Sequence, residues 1–162
     1  MNWILTILVV LITFCVMEGV AWLAHKYLMH GFLWFLHEDH HLPTFKKTGG
    51  FFEKNDWFFV IFAFPSMILY ITGAIFANPY LFASAIGITL YGFAYFVFHE
   101  VVFHERLLWF SKWRNTYIRA LRRAHGAHHK HHVRENGECF GLLYFPFKYL
   151  KTEMDRSKNI QK

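Results

Sequence analysis

The twelve histidines of this 162-residue chain lie in three clusters. The first, AHKYLMHGFLWFLHEDHH, spans residues 24–41; the second contains His99 and His104; the third, AHGAHHKHH, spans residues 124–132. Neutral imidazole is the most common metal ligand among protein side chains. So many imidazoles exceed the roughly four to six ligands of a single ion. Their number therefore predicts a site for two metal ions.

The spacing of these histidines repeats. An H-x4-H pair precedes an H-x2-HH triplet, and both patterns then recur in the same order. Positions i, i+3 and i+4 share one face of an α-helix, so each triplet is expected to converge. Residues five apart lie about 140° apart on an α-helix, so each pair requires a helix end between its members or two separate ions. Gly31, directly after His30, is a natural helix terminator.

The donor set narrows the choice of metal. Zinc, iron and copper all accept imidazole. Structural zinc usually has cysteine ligands, and catalytic zinc needs about three protein ligands. Cys15 and Cys139 form no CxxC or iron–sulfur motif. A histidine-rich site for two ions thus favours iron and oxygen chemistry. A tract such as HHKHH alone would also suit nonspecific metal binding. Its last two residues, His131 and His132, lie outside the repeated spacing pattern.

The composition is that of a membrane protein. Hydrophobic residues make up 55% of the chain and aromatic residues 21%, with a mean hydropathy of +0.22. Charged residues reach only 17%, against roughly 25% in average globular chains. A soluble core of this length cannot bury so much apolar surface, so we expect an integral membrane protein.

Three apolar runs predict membrane helices over residues 3–23, 57–77 and 80–98, because a helical span takes about 20 residues. The first run lacks the features of a cleaved signal peptide, so we expect it to be retained. A fourth stretch, residues 139–150, is shorter and contains Pro146; it predicts an interfacial segment or, if extended, a fourth span. We therefore predict an all-α membrane helical bundle of three to four helices with a histidine-rich helical cap, as one domain over residues 1–162.

Three spans place every histidine on the same membrane face. The first cluster follows the first span, and the other two follow the third. All 17 Lys and Arg residues also lie on that face. The positive-inside rule predicts that it is cytoplasmic.

Longer segments resemble the bacterial β-carotene 3-hydroxylases of the fatty acid hydroxylase/sterol desaturase superfamily. The similarity runs through MEGVAWLAHKYLMHG, HEDHH, FEKND, YGFAYFVFHEVVFHERL, AHGAHHKHH and GLLYFP, from residue 17 to residue 146. The resemblance implies O2-dependent hydroxylation at C3 of the β-ionone rings of β-carotene, giving β-cryptoxanthin and zeaxanthin. It also implies two non-haem irons, reduced ferredoxin or an equivalent donor, and a bacterial inner-membrane location.

The resemblance further implies the ligand set, transferred motif by motif, and no catalytic side chain beyond it. The implied ligands are His25, His30, His37, His40, His41, His99, His104, His125, His128 and His129.

Two further features have predicted roles. Glu18, an ionisable residue within the first span, lies seven residues before His25; we expect it to hydrogen-bond a ligand imidazole or to link two helices. The basic segment KWRNTYIRALRR, residues 112–123, suits contact with anionic lipid first and docking of an acidic electron donor second.

Other functions stay open at this point. The same ligands would serve a fatty acid or sterol hydroxylase, a desaturase or a carotenoid ketolase. A membrane metal-binding or transport protein is the non-enzymatic alternative, although its ligands would be expected in the middle of the spans. We expect lipid and carotenoid as partners, and no nucleic acid.

Overall fold

The computed structural model describes residues 2–42, 52–131, 133–135 and 137–160, and every regular element within these ranges is a helix. This confirms the predicted all-α class. Residues 43–51 and His132 lie outside the described residues.

Within the described ranges, six α-helices alternate with short helical segments of other types. In chain order they are α1 (Trp3–Leu23), α2 (Trp34–His41), α3 (Trp57–Ile75), α4 (Pro79–Tyr95), α5 (Thr116–His128) and α6 (Phe147–Ile160). Two of them continue directly into π-helix: α1 through Ala24–Phe32 and α4 through Phe96–Phe103. Short 3-10 turns, Lys54–Asp56 and Leu108–Phe110, precede α3 and α5.

Three helices of the described chain are long and apolar enough to cross a membrane: Trp3–Phe32, Lys54–Ile75 and Pro79–Phe103. They match the three predicted runs but have different ends. The first and third are longer than predicted because π-helical stretches extend them to Phe32 and Phe103. The second ends earlier, because Ala77 adopts a left-handed φ of 48° and the Asn78 side chain caps α4.

The three long helices pack with α1 and α3 on either side of α4. Gly87 permits the close approach of α1, since a Cβ there would lie 2.8 Å from the Val10 carbonyl oxygen and 2.7 Å from the Thr13 Cβ. Small residues at such crossings are typical of membrane helices. The outer faces are apolar and exposed, as with Ile4 and Phe64, which suits contact with lipid tails.

The fourth apolar stretch does not form a spanning helix. Residues 137–146 have no regular structure, and α6 begins only at Phe147, directly after Pro146. α6 pairs with α5 through Glu153, a buried carboxylate that bonds Arg119 and Arg123. The irregular segment contacts α1 and the histidines, through Glu18 and His25 among others, so this part of the chain supports the histidine clusters.

Candidate metal centre

All ten predicted ligand histidines converge in two groups of five. Within each group the potential ligand nitrogens lie within 4.8 Å of one another. The first group consists of His25, His30, His37, His41 and His128. The second group consists of His40, His99, His104, His125 and His129. His131 belongs to neither group.

Each triplet divides its histidines between the two groups. His37 and His41 enter the first group, whereas His40 enters the second. The expectation that a triplet converges on one point is therefore wrong. On an α-helix, positions i and i+4 are about 40° apart, whereas position i+3 lies about 60° to the other side. The second triplet divides in the same way: His128 lies in the first group, and His125 and His129 lie in the second. Each of the two α-helices therefore contributes histidines to both groups.

Each H-x4-H pair, in contrast, stays within one group, and π-helix explains how. In the first π-helical stretch the Leu33 N–H donates to the Leu28 carbonyl at 3.0 Å, and in the second the His104 N–H donates to the His99 carbonyl at 3.1 Å. Such i→i+5 bonds bring residues five apart onto adjacent turns of one face. Neither alternative derived from α-helical geometry, a helix end between the two histidines or a separate ion for each, is therefore needed. Gly31 does interrupt the helix after His30, with φ −102° and ψ −126°.

Oxygen acceptors outside the first group fix its five imidazoles. The His37 Nδ1–H donates to the Asn55 side-chain oxygen at 2.7 Å. The other four donate from Nδ1 to backbone carbonyls of one segment, residues 131–140. These pairs are His41 to His131, His30 to Arg134, His128 to Glu138 and His25 to Phe140, at 2.8–3.1 Å.

Carboxylates hold part of the second group. The His40 Nδ1–H donates to Glu53 and the His99 Nδ1–H donates to Glu100, each at 2.6 Å. The Arg106 guanidinium connects this outer layer, at 3.1 Å from Glu100 and 3.4 Å from Glu53. Such outer hydrogen bonds set the tautomer and orientation of a ligating imidazole.

The inward nitrogens fit bound cations. An imidazole that donates from Nδ1 presents a bare Nε2 lone pair when it is neutral. The Nε2 atoms of His25 and His37 nevertheless lie 3.1 Å apart, and those of His40 and His99 lie 3.2 Å apart. Two facing lone pairs repel unless a positive charge lies near both. The buried Nε2 of His129 has no hydrogen-bond partner among the described residues.

Burial keeps the imidazoles of His40, His125 and His128 neutral and able to bind metal. Burial first, and then the charges of neighbouring imidazoles, lowers the pKa of His40 and His125 well below the usual value. Burial, followed by His41 and His30, lowers the pKa of His128 to about 2. Metal binding requires neutral imidazole, so the donor set suits two metal ions.

Glu18 supports the centre indirectly. Its Oε1 accepts three backbone N–H bonds from residues 142–144, each 2.9 Å long, and its Oε2 accepts the Tyr91 hydroxyl at 2.9 Å. The expected bond to a ligand imidazole is therefore wrong, and the alternative, a link between helices, is confirmed by Tyr91 on α4. The clamped segment follows Phe140, whose carbonyl orients His25. A backbone acceptor of this kind leaves no side-chain signal in the sequence.

Glu53 and Asn55 also bond candidate ligand histidines, which the sequence motifs did not predict. Both belong to FEKND, a polar run directly before an apolar span. Polar residues at that position could have indicated a role beside the histidines. The carboxylate of Glu100 accepts a hydrogen bond from the ring of His99, its neighbour in the chain.

A mostly apolar cavity of about 310 Å³ lies between the three long helices. Asn55 and Tyr95 line it at the histidine end, where Tyr95 stacks on His99 with ring centroids 4.8 Å apart. Phe58, Phe62 and Met29 are among its apolar walls. The cavity is therefore mostly apolar and ends at residues that contact both histidine groups.

A second, wider groove of about 700 Å³ lies behind α5. Six basic side chains outnumber two acidic ones along it: Arg114, Arg119, Arg122, Arg123, Lys130 and Arg156 against Glu138 and Glu153. Its wall includes Glu138, whose carbonyl accepts the His128 Nδ1–H. The groove is thus basic and reaches the back of the first group.

Comparison with known proteins identifies the family. The model of the family described as fatty acid hydroxylase matches residues 10–149. The chain belongs to the fatty acid hydroxylase family. It is similar to "Beta-carotene hydroxylase" of Pantoea ananas, 39% identical over 146 residues, which cover 90% of this chain and 81% of that protein. The predicted resemblance is confirmed.

Two more relatives show how far the similarity extends. "Beta-carotene hydroxylase" of Paracoccus sp. (strain PC1) is 37% identical over 93% of this chain and 91% of its own length. "Beta-carotene 3-hydroxylase 1, chloroplastic" of Arabidopsis thaliana is 36% identical over 80% of this chain and 41% of its own length. No solved structure matches the chain.

Replacing one inward histidine should remove metal. We predict that His128→Ala lowers the iron bound per purified chain by at least half, because it deletes one donor of the first group and unpairs the Glu138 carbonyl. Plasma mass spectrometry of protein purified in detergent measures this. His131→Ala, three residues away and outside both groups, is the matched control. Equal iron content in both variants would contradict the assignment.

Removing the Glu18 carboxylate should loosen the supporting segment. Glu18→Ala leaves three N–H groups without their acceptor, and one unsatisfied buried group costs about 1–3 kcal/mol. We predict a lower melting temperature in detergent and faster loss of iron to a chelator. Cys15→Ala, an exposed position on the same helix, serves as the control. An unchanged rate of iron loss would show that the segment does not depend on Glu18.

Proposed function

We propose that this protein is an O2-dependent non-haem di-iron monooxygenase that hydroxylates C3 of the β-ionone rings of β-carotene, giving β-cryptoxanthin and zeaxanthin. The observation that carries the proposal is the pair of five-histidine groups at the end of an apolar cavity. The names of the bacterial and plant relatives support the substrate and the reaction. The ten histidines would hold the two irons.

The irons would supply the oxidising power needed to insert one oxygen atom of O2 into an unactivated C–H bond, since no side chain can do so. The protein's own part is to position the substrate and exclude water. Phe58, Phe62 and Met29 would enclose the apolar ring. Asn55 both lines the cavity and fixes His37, so it joins substrate position to ligand orientation.

The size of the cavity favours binding of one end of the substrate at a time. At about 310 Å³ it lies at the lower end of the range for pockets that enclose drug-sized ligands, about 300–1,000 Å³. A forty-carbon hydrocarbon with two rings exceeds that space, so the rest of the molecule would extend between the helices into lipid. Each ring would then enter in a separate binding event, and the product with one hydroxylated ring would be released between them.

The basic groove behind α5 suits the electron donor. Di-iron chemistry needs electrons from outside, and an acidic ferredoxin-type protein would be attracted to six basic side chains. The groove reaches the back of the first histidine group.

By the positive-inside rule this face would be cytoplasmic, with the chain in the bacterial inner membrane. Because both groups draw ligands from distant segments, we also propose that residues 1–162 act as one domain.

Expression in a bacterium that accumulates β-carotene tests the reaction. We predict that chromatography of the extracted pigments shows cryptoxanthin and zeaxanthin with the wild-type chain and only β-carotene with His128→Ala. Unchanged β-carotene, with iron-loaded protein present in the membrane, would overturn the carotenoid assignment. Fatty acid and sterol substrates would then be tested. A keto product would indicate a ketolase instead.

Charge reversal in the groove tests donor docking. We predict that Lys130→Glu combined with Arg114→Glu raises the KM for reduced ferredoxin about tenfold or more and weakens its dependence on salt, with kcat at saturation nearly unchanged. Lys151→Glu, an exposed charge outside the groove, is the matched control. Equal KM values for the two variants would exclude this surface as the docking site.

A further inference from the structure

The outer hydrogen bonds of the two histidine groups differ in charge. In the first group all five Nδ1–H donors meet neutral oxygens, namely four backbone carbonyls and the Asn55 amide. The Arg134 guanidinium also lies beside this group, where it donates to the His30 carbonyl at 2.9 Å. Its surroundings are therefore neutral to positive.

In the second group two imidazoles, those of His40 and His99, donate to carboxylates instead, one half-buried and one buried. Glu100 is fully buried and bonds His99 at 2.6 Å. Glu53, with its side chain 11% exposed, bonds His40 at the same distance. Asp56 adds a third carboxylate, 2.8 Å from Arg106. Arg106 forms ion pairs with all three, so among these described contacts three carboxylates meet one guanidinium.

A carboxylate acceptor has a known effect on a ligating imidazole. It draws the Nδ1 proton toward itself, which raises the basicity of Nε2 and strengthens its bond to a metal ion. A carbonyl or amide oxygen does this less, because it carries no net charge. The added negative charge also favours the more highly charged state of the ion by simple attraction.

From these contacts we infer that the two metal positions are unequal. The position of the second group binds iron more tightly and stabilises its oxidised state, and the position of the first group is the weaker, more exchangeable one. Glu53 and Glu100 are then positioning residues that set the difference. The inference rests on the proposed pair of irons, but not on the substrate or on the reaction.

An exchange of outer acceptors tests this. Glu53→Gln removes the charge beside His40 and keeps an oxygen acceptor of the same length. Asn55→Asp introduces a charge beside His37 with almost no change in shape. The full-length chain in detergent is stripped of metal and titrated anaerobically with Fe(II) against a competing chelator, and the reloaded protein is studied by Mössbauer spectroscopy.

We expect two resolved binding steps in the wild type and two distinct Mössbauer signals. Glu53→Gln should weaken the tight step about 10–100-fold and shift one signal, with the weak step nearly unchanged. Asn55→Asp should strengthen the weak step and shift the other signal. A folding defect cannot produce this second result, because it would weaken binding.

Two equal steps in the wild type, or a Glu53→Gln effect on the weak step, would overturn the inference. So would weaker binding in well-folded Asn55→Asp, with folding judged by helical circular dichroism. Pigment analysis is independent of this titration. If two unequal irons bind and β-carotene stays unchanged, the proposed substrate fails and the inequality stands.

Discussion

The structure depends on one electrostatic constraint: ten imidazoles, eight of them buried, face one another, and facing Nε2 atoms such as those of His25 and His37 lie about 3 Å apart. Such an arrangement is repulsive without positive charge between the rings. Protons are a poor source of that charge, because burial holds the pKa of His128 at about 2. Metal ions bound between the rings would supply it instead, and the outer Nδ1–H bonds keep the lone pairs pointing inward. Folding and metal binding are thus linked through the same rings.

Different elements of the chain hold the imidazoles in this arrangement. π-Helix lets each H-x4-H pair share a group, and the two triplet-bearing helices exchange one histidine each. Residues 131–140 provide four carbonyls, and Glu18 clamps the chain just beyond them. Because the triplets cross over, neither group is complete without both halves of the chain. The first group also touches the basic groove through Glu138, and the cavity approaches both groups through Asn55 and Tyr95.

Residue types and spacing predicted the ligand motifs, the helical class and three apolar spans, because these depend on composition and local periodicity. They did not predict which imidazole joins which group. That result needs the π-helical geometry around His30 and His99, which depends on the surrounding packing rather than on residue type. The outer acceptors were equally hidden, since carbonyls such as that of Phe140 have no side-chain signature. Glu18 was recognised as unusual, but three of its partners are backbone N–H groups more than 120 residues away, which the sequence could not indicate.

Ten imidazoles would hold two ions in an all-nitrogen protein environment. Iron X-ray absorption of the purified full-length protein, combined with metal content per chain, measures that environment directly. We expect two irons per chain and strong imidazole multiple scattering, and both should fall in a variant that lacks one inward histidine. A single iron per chain, or a coordination shell dominated by carboxylate oxygen or sulfur, would contradict it.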